Sequence, residues 1–209
     1  PAYAPEVLTA RDMLRTWRFY DHFRCDAHAP ARSAQVGVRT PVLSNDGHDL
    51  AAAWQTIVEI GDEGGLAAAV DDAFPEATVQ VSVNDGRFEL VFQQPGLLRP
   101  LKQAELSDGT LRYLLLIAAL LTPRPPPRMV FYEPEMSLLP QLLPSLGRLM
   151  RRYATEHALW VVSHAEALQS ELLTDDNTQH VELIKTLSET GVRGQTLLGT
   201  PNWTWPPRR

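Results

Sequence analysis

The stretch ELSDGTLRYLLLIAALLTPRPPPRMVFYEPEMSLLP, Glu105 to Pro140, decides the fold. It joins a strongly apolar helical run, Asp108 to Leu121, to a short apolar strand, Met129 to Tyr132. Between them, TPRPPPR from Thr122 to Arg128 forms a stiff linker, because consecutive prolines favour extended geometry. The strand stops at Glu133-Pro134-Glu135, and a helix from Pro140 to about Glu156 follows, with proline in its first turn. Ala158 to Ser163 (ALWVVS) is a second buried strand, and Ala165 to Leu173 a further helix. Helix, strand, helix, strand, helix is the rhythm of parallel strands with crossover helices.

Upstream the pattern is mixed. Leu8, Met13, Leu14, Trp17 and Tyr20 recur at helical spacing, which predicts a helix over Glu6–Tyr20 with one buried face. Tyr20 to Pro41 shows no clear period and reads as an irregular, exposed connector. Asn45-Asp46-Gly47 marks a turn, and Asp49 is placed to cap a helix from Leu50 to about Ile60. Gly61 to Gly65 breaks that helix, and a second runs from Leu66 to Phe74. ATVQVSVNDGRFELVF, Ala77 to Phe92, alternates on both sides of Asn84-Asp85-Gly86, a β-hairpin signature. Two short strands with a turn near Gly191 are expected between Gln179 and Leu198, followed by an irregular tail.

Composition sets the limits. A chain of 209 residues with 44% hydrophobic content can bury a sizeable core. A formal net charge of −6 argues against a broad basic nucleic-acid surface, and Arg148, Arg151 and Arg152 read as a solvated helix face. Cys25 is the single cysteine, so an intrachain disulfide is impossible, and a cytoplasmic location is expected. No stretch approaches a membrane span. His22, Cys25 and His28 have a metal-ligand spacing but lack further ligands, and chance loop residues explain them better. Trp203 and Trp205 read as packing anchors.

Three short elements could carry chemistry. Ser107, Asp108 and Gly109 in LSDGT open a helix, where a hydroxyl, close-approaching amides and the helix dipole suit a phosphate. Ordinary helix capping by Ser107 or Asp108 is the plainer alternative. Glu133 and Glu135 lie at the carboxyl end of a strand, where open parallel sheets bind ligands and an acid can orient water or hold magnesium. A solvated strand-to-helix turn explains them equally well. His164 ends the next strand, where an imidazole serves either as a cap or as a hydrogen-bond partner for a phosphate or a water.

In this order and spacing the three elements resemble the carboxy-terminal half of a RecF/SMC-like ABC-class ATPase, the bacterial group related to overcoming-lysogenization nuclease ATPases. The closest likeness covers Leu101 to Leu172, with LSNDGHDLAAAWQTI and the hairpin resembling the preceding lobe. The resemblance implies an α/β P-loop NTPase head with a mostly parallel sheet flanked by helices. It divides the chain at about residue 100. Residues 1–100 are a helical lobe, linker and β-hairpin, and residues 101–209 the signature, Walker B, D-loop and switch-histidine half. It implies ATP hydrolysis by ATP-driven head dimerisation, in DNA repair, chromosome handling or phage defence. Ser107 and Gly109 would touch the γ-phosphate held by a facing head, with Asp108 in the variable slot of the same nucleotide-binding motif. Glu133 would be the water-orienting glutamate, Ser137 would lie in the D-loop, and His164 would be the switch histidine.

Two departures qualify this. Tyr132 stands where the group carries the acid of the magnesium shell, and a phenol cannot replace that charge. Leu139 stands where relatives often have histidine. There is also no G-x-x-x-x-G-K-[ST] loop in the sequence, which starts at Pro1 rather than Met. The expectation is that an amino-terminal lobe or second chain supplies this loop and holds most of the ATP and Mg2+. The head would then pair with a second head and act on a DNA or nuclease partner. A chain without that lobe would leave an apolar sheet edge open. The alternatives are a nucleotide-binding head with little hydrolysis, because of Tyr132, and an interaction module that binds no nucleotide.

Overall fold

The computed structural model describes residues 5–21, 23–174, 177–187 and 189–194. The chain divides into two units, Pro1–Leu172 and Leu173–Arg209.

The first unit holds two sheets. The parallel one has the order β1 (Arg18–Tyr20), β6 (Arg128–Tyr132), β7 (Ala158–Val162). The antiparallel one is built on the hairpin β3 (Thr78–Asn84) and β4 (Arg87–Gln93), with β2 (Gln35–Val36) and β5 (Leu101–Lys102) also paired to β4. Asn84 pairs with Arg87 across a two-residue turn, and Asp85 and Gly86 take φ of 48° and 71°. Both central residues are therefore left-handed, as the tightest hairpin turn requires and as Asp-Gly supplies.

Helix α4 (Asp108–Leu120) is the centre of the core. Its residues from Leu111 to Leu120 are all buried, packed with α2 (Leu50–Ile60), α3 (Glu63–Ala73) and α5 (Leu143–Ala154). Met129 and Phe131 point into this core from β6, and Tyr20 stacks on Phe131 at 5.2 Å. Among the described residues the opposite face of the parallel sheet is covered only in part, by Trp17 against Phe19 and Trp160 and by Arg128 over Trp17 and Trp160. Phe19, Tyr132, Trp160 and Val162 are each about half exposed. Parallel strands are normally covered on both faces. Expecting an open edge therefore understates what is seen. Among the described residues β7 has no outer neighbour, and an apolar face is left half exposed as well.

Several sequence expectations are corrected. Helix α1 spans only Pro5–Arg15, and none of its residues is buried, so the expected buried face is absent. Tyr20 is not helical. Arg18, Phe19 and Tyr20 instead pair with Met129, Val130 and Phe131, and the gain from parallel pairing and core stacking outweighs helix continuation. The connector from Tyr20 to Pro41 is not wholly irregular or exposed. It carries a 3-10 turn at Pro30–Arg32 and strand β2, and Phe23, Cys25, Ala29 and Ala31 are buried. Asp49 occupies the cap position of α2 but makes no capping bond, because its Oδ1 accepts from the amide and hydroxyl of Ser44. Helix α3 starts at Glu63 rather than Leu66, since Asp62 caps it by accepting from the Gly65 amide at 2.8 Å. The segment after β6 enters α5 through a 3-10 turn, Pro140–Leu142, and α5 ends at Ala154. Arg148, Arg151 and Arg152 are not merely solvated, for they pair with Asp72, Glu171 and Asp62.

The second unit contains a hairpin of β8 (Leu183–Thr186) and β9 (Glu189–Val192). Gly191 lies inside β9 opposite Ile184 rather than in a turn. His22, Trp203 and Trp205 lie outside the described residues. Among the described residues no helix is long and apolar enough to cross a membrane.

Candidate functional site

The carboxyl ends of β6 and β7 form the site. Tyr132 pairs with Val162, and the Glu133 amide donates to the Val162 carbonyl at 2.8 Å, extending the ladder by one bond. The chain then leaves the sheet abruptly. Glu133 has φ 46° and Ser137 φ 65°, two left-handed non-glycine residues within five positions. Such backbone costs on the order of 1 kcal/mol or more per residue and persists only where neighbours hold it.

Several neighbours hold it. The Glu133 carbonyl accepts from the Met136 amide at 3.1 Å and from Arg112 Nη2 at 3.1 Å. The Leu138 amide donates to the Glu135 carbonyl. The two acids face different ways. Glu133 Oε1 stands 3.4 Å from His164 Nε2, an ion pair when the imidazole is protonated. Glu135 turns inward, where its Oε1 accepts from the Ser163 hydroxyl and the His164 amide, both at 2.8 Å. Glu135 thus fastens the end of β6 to the end of β7, and Glu133 is left as the acid beside the exposed histidine.

Ser107 caps α4 by accepting from the Thr110 amide at 3.1 Å, and its Oγ lies 2.8 Å from the Thr110 hydroxyl. A Cβ on Gly109 would lie 2.7 Å from the Ser137 carbonyl oxygen, so only glycine lets this turn meet the loop after β6. The structure therefore brings Gly109 onto Ser137 and His164 onto Glu133. Asp108 points elsewhere, to Arg32 at 2.6 Å.

A family model described as "AAA domain, putative AbiEii toxin, Type IV TA system" matches residues 4–165. The chain belongs to this AAA family. No curated protein matches the AAA chain. Its fold is that of SMC ATPase heads, a P-loop NTPase fold. A structure described under ATP-driven dimerization and DNA-stimulated activation of SMC ATPases aligns with TM-score 0.54 and 12% identity, covering 70% of this chain and 91% of that one. An SMC head bound to the C-winged helix domain of ScpA aligns with TM-score 0.55 and 13% identity, covering 69% and 45%. The Pyrococcus yayanosii SMC head with coiled coil and joint gives TM-score 0.55 and 13% identity, covering 70% and 28%. The chain thus spans nearly all of the first relative and less than half of the other two.

Two functional candidates escaped sequence reading. Arg32, in the supposed connector, donates to the carbonyls of Cys25, Ala104 and Leu106 as well as to Asp108, and so pins the residues leading into α4. Nothing local marks it. Arg112 is the one charge inside the buried run of α4, and a lone cation in an apolar helix was a readable signal.

An ATPase family implies a nucleotide, and the residues here fit one side of it. The AAA chain offers a glycine-lined helix start at Ser107–Gly109 and an acid–histidine pair at Glu133 and His164. The fit to magnesium is poor. Glu135 Oε1 is committed to Ser163 and His164, its Oε2 is buried, and Tyr132 contributes a half-exposed phenol. Among the described residues no group of three or more His, Cys, Asp or Glu side chains could hold a metal ion.

Proposed function

We propose that this chain is the LSDG-bearing part of an ATP-hydrolysing, ABC/SMC-like head that works by ATP-driven dimerisation. The observation that carries the reading is the pairing of Glu133 with His164 at the ends of two parallel strands, in a loop that Gly109 touches from the start of α4. In this reading Glu133 accepts a hydrogen bond from the attacking water, and His164 donates to the γ-phosphate. Ser107 and Gly109 present the helix start to the phosphate on a facing head, and Ser137 lies on the seam between heads. Asp108 braces this turn through Arg32 rather than touching nucleotide.

The phosphate loop belongs to an amino-terminal lobe or a second chain. The half-exposed face of Phe19, Tyr132, Trp160 and Val162 and the side of β7 without a neighbour among the described residues support this, because a further strand and helix would cover both. Magnesium is held mainly by that lobe. Pathways consistent with the family are DNA repair, chromosome handling and phage defence, with a DNA or nuclease partner.

Tyr132 favours a second reading, a head that binds nucleotide and turns it over slowly. One set of measurements separates the two in the full-length protein. Glu133→Gln should abolish phosphate release and accumulate an ATP-dependent dimer, seen as a doubled mass by light scattering. No nucleotide-dependent change in mass would refute the dimerising head. Wild-type turnover equal to that of Glu133→Gln would establish the slow head, and a gain in turnover by Tyr132→Asp would then trace it to the missing acid.

A further inference from the structure

Arg112 is 3% exposed and lies among the leucines of α4. Burying a guanidinium is costly, and an apolar side chain of similar volume would pack there without that cost. Packing therefore does not account for it. Its bonds are specific. Nη1 donates to the Phe23 carbonyl, just beyond β1, at 3.3 Å, and Nη2 donates to the Glu133 carbonyl, just beyond β6, at 3.1 Å. One planar cation thus joins the LSDG helix to the ends of two adjacent parallel strands. Its Nε is buried without a hydrogen-bond partner, and so is Oε2 of Glu135. Desolvation lowers the Arg112 pKa, with the charges of Cys25, Glu135 and Glu133 acting in the opposite sense.

The Glu133 carbonyl is the group that fixes the left-handed turn from which the Glu133 side chain leaves toward His164. We propose that Arg112 is a positioning residue that sets this turn and carries displacement of the LSDG helix to the Glu133 carboxylate. The inference rests on the reading of Glu133 as the water-orienting acid. Ser107 and Gly109 lie one turn before Arg112 on the same helix, so a phosphate seated on that helix start moves Arg112 with it. The helix touches the acidic loop at two points, Gly109 on Ser137 and Arg112 on Glu133. Contact with a facing head's nucleotide is thereby passed to the acid serving the head's own site. A guanidinium can bridge both carbonyls because its donors diverge in a fixed plane, whereas an ammonium supplies one point charge.

The test compares Arg112→Met and Arg112→Lys in the full-length protein. Amide hydrogen exchange is read at Glu133, Met136 and Leu138, with Met129–Phe131 in β6 as internal reference. Arg112→Met should speed exchange in the loop by about tenfold and leave β6 within about twofold, with Arg112→Lys intermediate. In ATP hydrolysis, kcat should fall about tenfold to a hundredfold with KM unchanged. Unchanged loop exchange overturns the proposal, and so does equal acceleration throughout the core, which marks Arg112 as a stabiliser only. If the wild type does not hydrolyse ATP, the reading of Glu133 fails, and loop exchange still decides whether Arg112 positions the turn.

Discussion

Gly109→Ala is the sharpest structural test of how the LSDG turn meets the loop after β6. The added Cβ would lie 2.7 Å from the Ser137 carbonyl oxygen, and ordinary contact begins at 3.4 Å, so 3.4 − 2.7 = 0.7 Å must be found by moving backbone. Neither side gives easily. The helix start is fixed by the Ser107 cap and by Asp108 on Arg32, and the loop is held by the bond from Leu138 to Glu135. Overpacking of this kind costs about 1–3 kcal/mol. Replacing a helical glycine with alanine otherwise gains about 0.5–1 kcal/mol. Gly64 in α3 supplies the control, because its added Cβ would meet only the Asp62 Oδ1 at 3.7 Å. Gly64→Ala should therefore stabilise by about 0.5–1 kcal/mol, and Gly109→Ala should be less stable than it by about 1–3 kcal/mol. Urea unfolding at constant slope measures both, and each kcal/mol shifts the melting temperature by about 2–4 °C at this size. If Gly109→Ala stabilises as much as Gly64→Ala, the close approach to Ser137 is refuted.

Two further outcomes follow from titratable groups outside the site. Burial pushes the Cys25 thiol up to about 11, so thiol labelling near neutral pH should be slow in the folded protein and fast in denaturant. Equal rates would show that Cys25 is not in the core. The hydrogen bond that His48 Nδ1–H donates to the Asp46 carboxylate raises the His48 pKa, while burial opposes it. A raised folded-state pKa gives stability that is present below the ordinary histidine value of about 6.5 and is lost as pH rises through the folded value. His48→Gln should accordingly flatten the stability difference between about pH 6 and about pH 8, and an unchanged difference would refute the pairing.

What was legible in the sequence was local. Asp85-Gly86 sets its own hairpin, and the apolar runs of α4, β6 and β7 declare themselves by composition. The meeting of Glu133 with His164 follows from two parallel strands ending at the same height. What escaped depends on partners far away in the chain. Tyr20 leaves the helical pattern because β6 pairs with its segment, more than a hundred positions later. Arg32 cannot be distinguished from a loop arginine until Ala104, Leu106 and Asp108 are placed beside it. The start of α3 is not legible in the sequence because Asp62 is a cap only if Gly65 is already helical, and the glycines of that stretch suggest a break.

The two acids around Pro134 show why residue type alone does not assign roles. Glu133 and Glu135 are two positions apart, and in a continuing strand they would share a face. The left-handed backbone at Glu133 ends the strand and separates them. Glu135 then finds the Ser163 hydroxyl and the His164 amide, and those bonds require a carboxylate facing into the sheet end. With Oε1 so engaged and Oε2 buried, it is removed from the water side. Glu133 stays there, its main chain held from below by Arg112 and its side chain beside His164. The inward acid sets where His164 begins, and the outward acid uses that histidine as its neighbour. Loss of Glu135 would therefore displace His164 and Glu133 together. Tyr132 precedes both and lies on the half-exposed face of the sheet, so whatever covers that face also decides what the phenol touches.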